Sequence, residues 1–262
     1  MFGVGRQVST TTDQDHDCLN TAADAGPALF TGWEPAYLTI MVRLDIISDP
    51  ICPWCYIGKA NLDRAIAQTG HNPFDIEWRI FQLNPDMPPE GRDRKEYLET
   101  KFGGPERAQA IYGRIRDAAA ESGLAVEFDK IKRTPNTMDA HRLIRWARTS
   151  GTQDALVTQL FHRYFENGED ISDRDVLLDA AQSVGLEREV VERLLDSDAD
   201  REELTGEDMA AREMGVSGVP CFIVDGRYVL QGAQPAETWA KVIEELVEAA
   251  KTQAAAVPEA TP

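Results

Sequence analysis

The apolar positions of this chain follow two periods that exchange at a few sharp points. Val42-Arg43-Leu44-Asp45-Ile46-Ile47 reads as a strand, and from Tyr56 onward Ile57, Leu62, Ala65 and Ile66 recur near helical spacing until Gly70, which predicts a helix through about Thr69. Phe74, Ile76, Trp78 and Ile80 then alternate with Asp75, Glu77 and Arg79 in strict period two, before Pro85, Pro88 and Pro89 break the run. Strand, helix and strand in this order make a βαβ unit, which handedness turns into a parallel pair with a crossover helix.

Between Gly91 and about Gly206 the pattern is helical almost throughout. Helices are predicted over Arg92 to Phe102, Pro105 to Ser122, Thr137 to Ser150, Asp154 to Glu166, Asp173 to Val184 and Arg188 to Asp196. Asp139, Asp154, Ser172-Asp173 and Glu187 lie near helix starts, and Gly151, Gly168 and Gly185 at stops. Leu143, Ile144 and Ala147, with Leu156, Leu160 and Phe161, suggest an inward stripe and hence a small core belonging to this block. After a helical segment at Glu207 to Met214, Cys221 to Val224 and Arg227 to Leu230 flank Asp225-Gly226, a strong hairpin signal. An amphipathic helix from Pro235 to about Lys251 precedes a polar Ala/Pro tail, Thr252 to Pro262, expected to fray. Residues 1–40 lack periodicity and carry turn formers such as Gly26-Pro27, so they are expected to be a disordered extension, or Met41 to be the native start. The layout is thus an α/β layer over 41–90 and 206–250, an all-helical domain over 91–205 inserted after the βαβ unit, and a tail from 251.

Composition adds limits. At 42% hydrophobic and 27% charged the chain is that of an ordinary soluble protein, with no apolar run long enough to span a membrane. A net charge of -18 repels phosphate backbones and anionic lipid, so neither nucleic acid nor membrane is an expected partner. Of the four cysteines, Cys18, Cys52, Cys55 and Cys221, only the central two are closely spaced, and no second pair completes a tetrahedral metal site. The first 40 residues hold one basic residue, Arg6, and no apolar stretch of signal-peptide length, which points to the cytoplasm.

In that compartment a Cys-x-x-Cys pair is expected to be catalytic rather than structural. Cys52-Pro53-Trp54-Cys55 follows a strand and opens a helix, the setting in which this spacing reads as thioredoxin-like. The helix start favours the thiolate of Cys52, the nucleophile, while Cys55, one turn in, is placed to resolve the mixed disulfide. Pro53 suits the first helical turn, and Trp54 offers an apolar face to a substrate. Gly218-Val219-Pro220, just before the hairpin, looks like a cis-proline loop whose Val219 backbone would hold an extended substrate across Cys52.

Asp45-Ile46-Ile47-Ser48-Asp49-Pro50-Ile51-Cys52-Pro53-Trp54-Cys55-Tyr56-Ile57-Gly58-Lys59, with Pro135-Asn136-Thr137, Ala140-His141-Arg142, Gly215 to Pro220 and Gln231-Gly232-Ala233-Gln234-Pro235, resembles the FrnE-type branch of the DsbA-like thioredoxin-fold proteins. The resemblance covers about Val42 to Ala250. It implies a thioredoxin fold with a helical insertion, a dithiol-disulfide oxidoreductase or isomerase acting on protein or small thiols and disulfides, and no prosthetic group or metal. It leaves open a glutathione co-substrate and a homodimer. The same branch includes 2-hydroxychromene-2-carboxylate isomerases and kappa-class glutathione transferases, which are similar in layout but typically carry a serine near the position of Cys52. Glutathione-dependent isomerisation or transfer is therefore the alternative activity, and a client-holding module the non-enzymatic one. The resemblance also marks Asn136 and His141 as residues of a segment that folds over the active site, and Asp45 as a buried proton acceptor for Cys55. Cys221 replaces the Thr or Phe more usual after the proline, and is expected in the sheet core, away from Cys52.

Overall fold

The computed structural model describes residues 41–255, so the expectations for residues 1–40, for Cys18 and for the end of the tail lie outside it. β1 (Val42–Ser48) leads through Asp49-Pro50-Ile51-Cys52 into α1 (Pro53–Thr69), which Gly70 ends in the left-handed conformation, its N–H donated to the Ile66 carbonyl. β2 (Phe74–Ile80) returns parallel to β1, in register from Val42 opposite Phe74 to Ser48 opposite Ile80. β3 (Arg92–Asp93) opens the insertion, followed by α2 (Arg94–Phe102), α3 (Pro105–Glu121), β4 (Arg133–Thr134), α4 (Met138–Thr149), α5 (Gln153–His162), α6 (Arg174–Ser183), α7 (Arg188–Leu195) and α8 (Arg201–Glu213). β5 (Cys221–Val224) and β6 (Tyr228–Gln231) form the hairpin, and α9 (Ala236–Ala255) closes the described chain. The main sheet has the order β2-β1-β5-β6, with β5 antiparallel to both neighbours. This is a thioredoxin-type layer with helices inserted between its parallel and antiparallel halves.

Local details depart from the sequence pattern where a partner intervenes. The helix predicted from Arg92 starts two residues later, because Arg92 and Asp93 pair with Thr134 and Arg133, and Asp93 instead caps α2 by accepting from the Lys95 and Glu96 N–H groups. The helix predicted through Glu166 is α-helical only to His162, then widens into a π turn over Arg163–Asn167. Gly168 ends that turn at φ 73°, where a Cβ would meet the Lys130 Cβ at 2.5 Å. The boundary expected near Gly206 falls inside α8, and the last helix continues past Lys251.

The inserted helices do not close a core of their own. Tyr56 of α1 stacks on Phe161 and Phe165 at 5.1 and 5.7 Å, and Trp78 of β2 meets Phe161 edge-on, so the sheet and the insertion share one continuous apolar interior. At its other end Trp239 of α9, fully buried, packs edge-to-face on Phe222 and Phe74. α8 lies on the opposite face of the sheet, where Ala211 and Val216 join Ile47, Phe81 and Cys221 in a smaller cluster. α4 is tied to the α7–α8 connection by Arg142, whose buried guanidinium donates to the carbonyls of Leu194, Ser197 and Ala199. That bond set fixes the helix carrying His141 to the segment between α7 and α8.

Candidate active site

The turn after β1 builds the site from consecutive residues. The Cys52 N–H donates to the Asp49 carbonyl at 2.9 Å, and the Cys52 carbonyl accepts from the N–H groups of Cys55 and Tyr56, starting the helix. Cys52 is the N-cap, in extended conformation with Pro53 in the first turn, and its side chain makes no capping bond. Its sulfur is therefore free for another partner, and no acidic residue occupies the first turn to oppose a thiolate there. The thiol donates to the Val219 carbonyl at 3.4 Å, across 167 residues of sequence, and the Val219–Pro220 peptide is cis. Gly58 permits this approach, since a Cβ there would lie 3.1 Å from the Pro220 ring and 3.2 Å from Phe222.

Cys52, Cys55 and Cys221 are all reduced and buried. Burial, reinforced by the neighbouring Cys52, pushes the Cys55 thiol well up from its ordinary value, while the Ser48 hydroxyl and the Asp49 backbone N–H pull the other way. Trp54 stands 40% exposed beside Cys52. Cys221 lies opposite Ile47, in the cluster beneath α8, and its sulfur accepts from the Gln231 side chain at 3.3 Å. It does not face the Cys52/Cys55 pair.

Asp45 is not the acid of the site. Its carboxylate pairs with Arg43 at 2.8 Å and Arg79 at 3.1 Å, on the face of β1 turned away from Leu44, Ile46 and α1. Period two explains the correction: residues an odd number of steps from Ser48 point to the opposite side of the sheet from the Ser48 hydroxyl that faces Cys55. The acid close to the cysteines is Asp49, in the turn itself. It is fully buried and accepts from the Leu83 N–H at 2.7 Å, the Ile51 N–H at 3.3 Å and the Thr137 hydroxyl, and burial pushes its pKa up to about 7 despite those bonds.

Of the two residues marked in the Pro135–Arg142 segment, one reaches this acid. His141 is 3% exposed, its Nε2 stands 3.8 Å from the Asp49 carboxylate, and burial lowers its pKa to about 3. The imidazole is therefore neutral, and the contact is not an ion pair. Asn136 instead bonds the Met87 carbonyl and the Met138 N–H, fixing the start of α4 and the loop before β3. Ser48, Asp49, Gly58 and Thr137 are the site residues that sequence reasoning passed over. The signal available for Asp49 was its place one residue before Pro50, between strand and cysteines.

No group of three or more His, Cys, Asp or Glu side chains suited to a metal occurs among the described residues. Nor is any helix among them long and apolar enough to cross a membrane.

Comparison with known proteins agrees with this geometry. A model of the DSBA-like thioredoxin domain matches residues 43–244. A probable DsbA oxidoreductase from Streptomyces coelicolor, known from its crystal structure, is 31% identical with a TM-score of 0.70, covering 84% of this chain and 92% of that one. The uncharacterized protein YwbO of Bacillus subtilis is 26% identical over 206 residues, 77% of this chain and 96% of that protein. A 2-hydroxychromene-2-carboxylate isomerase structure is 16% identical with a TM-score of 0.60, over 82% of this chain and all of that one, a likeness of fold.

Proposed function

The chain belongs to the DSBA-like thioredoxin domain family, and from that premise we propose that it is a thiol-disulfide oxidoreductase or isomerase working through the Cys52/Cys55 dithiol on protein or small thiol and disulfide substrates. The observation that carries this reading is the position of the Cys52 sulfur: at the start of α1, unencumbered by capping, 3.4 Å from the Val219 carbonyl. Cys52 attacks a substrate disulfide as the thiolate, one substrate sulfur leaves with the electron pair, and a mixed disulfide forms. Cys55, one helical turn away, then attacks the Cys52 sulfur. The Cys52–Cys55 disulfide closes, the substrate leaves as a dithiol, and two electrons have passed to it. Run backwards, the same steps oxidise a substrate.

Supporting residues divide the work. The Val219 backbone aligns an extended substrate beside Cys52, with Pro220 setting the loop and Trp54 supplying apolar contact. Asp49 holds the turn that presents both sulfurs, through the Ile51 and Leu83 N–H groups. The test is insulin reduction by the wild type, Cys52→Ser and Cys55→Ser. Loss of at least ~1,000-fold in Cys52→Ser, with a stable mixed disulfide in Cys55→Ser, is expected of a two-thiol mechanism. Full activity of Cys52→Ser overturns the reading, and glutathione-dependent isomerisation of a chromene acid by that variant assigns the alternative.

A further inference from the structure

The resolving step proposed above requires Cys55 to lose a proton, yet Cys55 is 1% exposed and burial holds its thiol in the neutral form. Ser48, whose side chain bonds Cys55, lines the first of two cavities that share walls. This first cavity, about 10 Å³ or roughly the volume one water requires, has Ser48 and His141 in its wall. The other is a cleft of about 240 Å³ along the β2 edge that shares Trp78, Arg79, His141 and Ile144 as its walls. Its rim includes the exposed Arg148 and Thr149, so it is open to solvent.

Two atoms at the junction are set up to handle a proton. The Ser48 hydroxyl faces the Cys55 sulfur and lines the small cavity. The His141 Nε2 is buried with no hydrogen-bond partner among the described residues, His141 lines both cavities, and the nearby Phe81 carbonyl favours a proton on the imidazole ring. A neutral imidazole carries its proton on one nitrogen, and with the other ring nitrogen protonated the Nε2 lone pair is open as an acceptor. A buried acceptor without a partner costs stability unless something fills it, and a water between Ser48 and His141 would. The charged groups facing His141 are Asp49 from the active-site turn, Glu77 and Arg79 from β2, Arg145 and Arg148 from α4, and Glu207 from α8. The last five pair among themselves, so each charged group along the cleft has an opposite partner within ion-pair distance.

We propose that this cleft is the proton path of the resolving thiol, with Ser48 and a single water carrying the proton from Cys55 to His141, and Asp49 and the cleft water receiving it. In the step itself the Cys55 S–H bond breaks, its proton enters the path, and the sulfur electron pair forms the bond to Cys52 as the bond from Cys52 to substrate breaks. The departing substrate thiolate keeps that electron pair and is protonated from solvent. His141, too weak a base to retain the proton, passes it on. It acts through other groups and is a positioning residue, while Ser48 touches the reacting thiol.

The inference rests on the oxidoreductase reading, and quench-flow mass spectrometry with a disulfide peptide separates the two. In His141→Ala the attack by Cys52 is expected to keep its wild-type rate, while resolution slows at least ~10-fold and the mixed disulfide accumulates. Added imidazole should restore resolution in that variant, and Ser48→Ala should show the same slowing without rescue, with proton release shifted to higher pH in both. Wild-type resolution in both variants overturns the proton path. Slowing of both steps together, unrelieved by imidazole, assigns His141 a purely structural role and also overturns it. A wild-type protein that forms no mixed disulfide at all overturns the oxidoreductase reading instead.

Discussion

β1 and the turn that follows it treat their carboxylates in opposite ways. On the face toward α8, Asp45 is matched by Arg43 and Arg79, Glu77 by Arg43, Arg79 and Arg148, and Asp208 by Arg212. At the active-site turn Asp49 has, among the described residues, no arginine or lysine within ion-pair distance, only two backbone N–H groups, a hydroxyl and the neutral His141. Charge on the first face is compensated and stays put. At the turn it is not, and so the proton there is loosely held near neutral pH. The difference teaches why so short a segment can carry both a structural ion-pair ladder and a reactive centre: Asp45 sits on the pleated face toward α8, whereas Asp49 lies past the end of β1, where the chain leaves the pleat and the carboxyl is fully buried.

The contrast is sharpest in stability after removal of each acid. Asp49→Ala leaves the Ile51 and Leu83 N–H groups buried without acceptors and is expected to cost about 2–4 kcal/mol near pH 5, measured by urea denaturation. Above pH 7 the loss should shrink, because the wild type then carries a buried charge that the variant lacks. The sign follows from the raised pKa. A carboxyl at about 7 in the folded state and near 3.8 when unfolded stabilises fully below the lower value and loses that contribution as pH rises through the upper one.

His141→Gln should show the opposite trend. With the imidazole near 3 when folded and 6.5 when unfolded, its contribution is present above pH 6.5 and lost on acidification, so the variant should gain on the wild type as pH falls. The gain is at most ~1.4 kcal/mol per pH unit between about 6.5 and 4. In the wild type these two slopes oppose each other over that window. Matching slopes of the same sign in the two variants would show that Asp49 and His141 do not hold the protonation states their surroundings impose.

Asp45→Ala is the smallest effect. Arg43, half exposed, and Arg79, one-third exposed, can turn to water when Asp45 is lost, so a cost under about 1 kcal/mol and an unchanged rate of resolution by Cys55 are expected. A tenfold slower resolution in this variant would restore Asp45 as the proton acceptor and dissolve the contrast between strand and turn.

Much of the architecture was legible along the chain. The alternation from Phe74 to Ile80, the Asp225-Gly226 turn between apolar runs, and Pro53 at the first helical turn each act through neighbours in sequence, and β2, the β5–β6 hairpin and α1 follow them closely. The β3–β4 ladder was not legible, because two residues are too few to show a period. Nor was the π turn at Arg163–Asn167, whose apolar spacing is that of the helix it continues.

The sequence by itself determined that two cysteines one turn apart open a helix behind a strand, with a Gly-Val-Pro loop far downstream, because capping, pleat and chain direction are local matters. Tertiary structure alone decided which acid and which base belong with them. Asp45 and Asp49 are the same residue type at the two ends of one short segment. Their fates diverge through partners distant in sequence: Arg79 for one, Leu83, Thr137 and His141 for the other. Burial, not residue type, sets where a proton rests, and burial belongs to the folded chain as a whole.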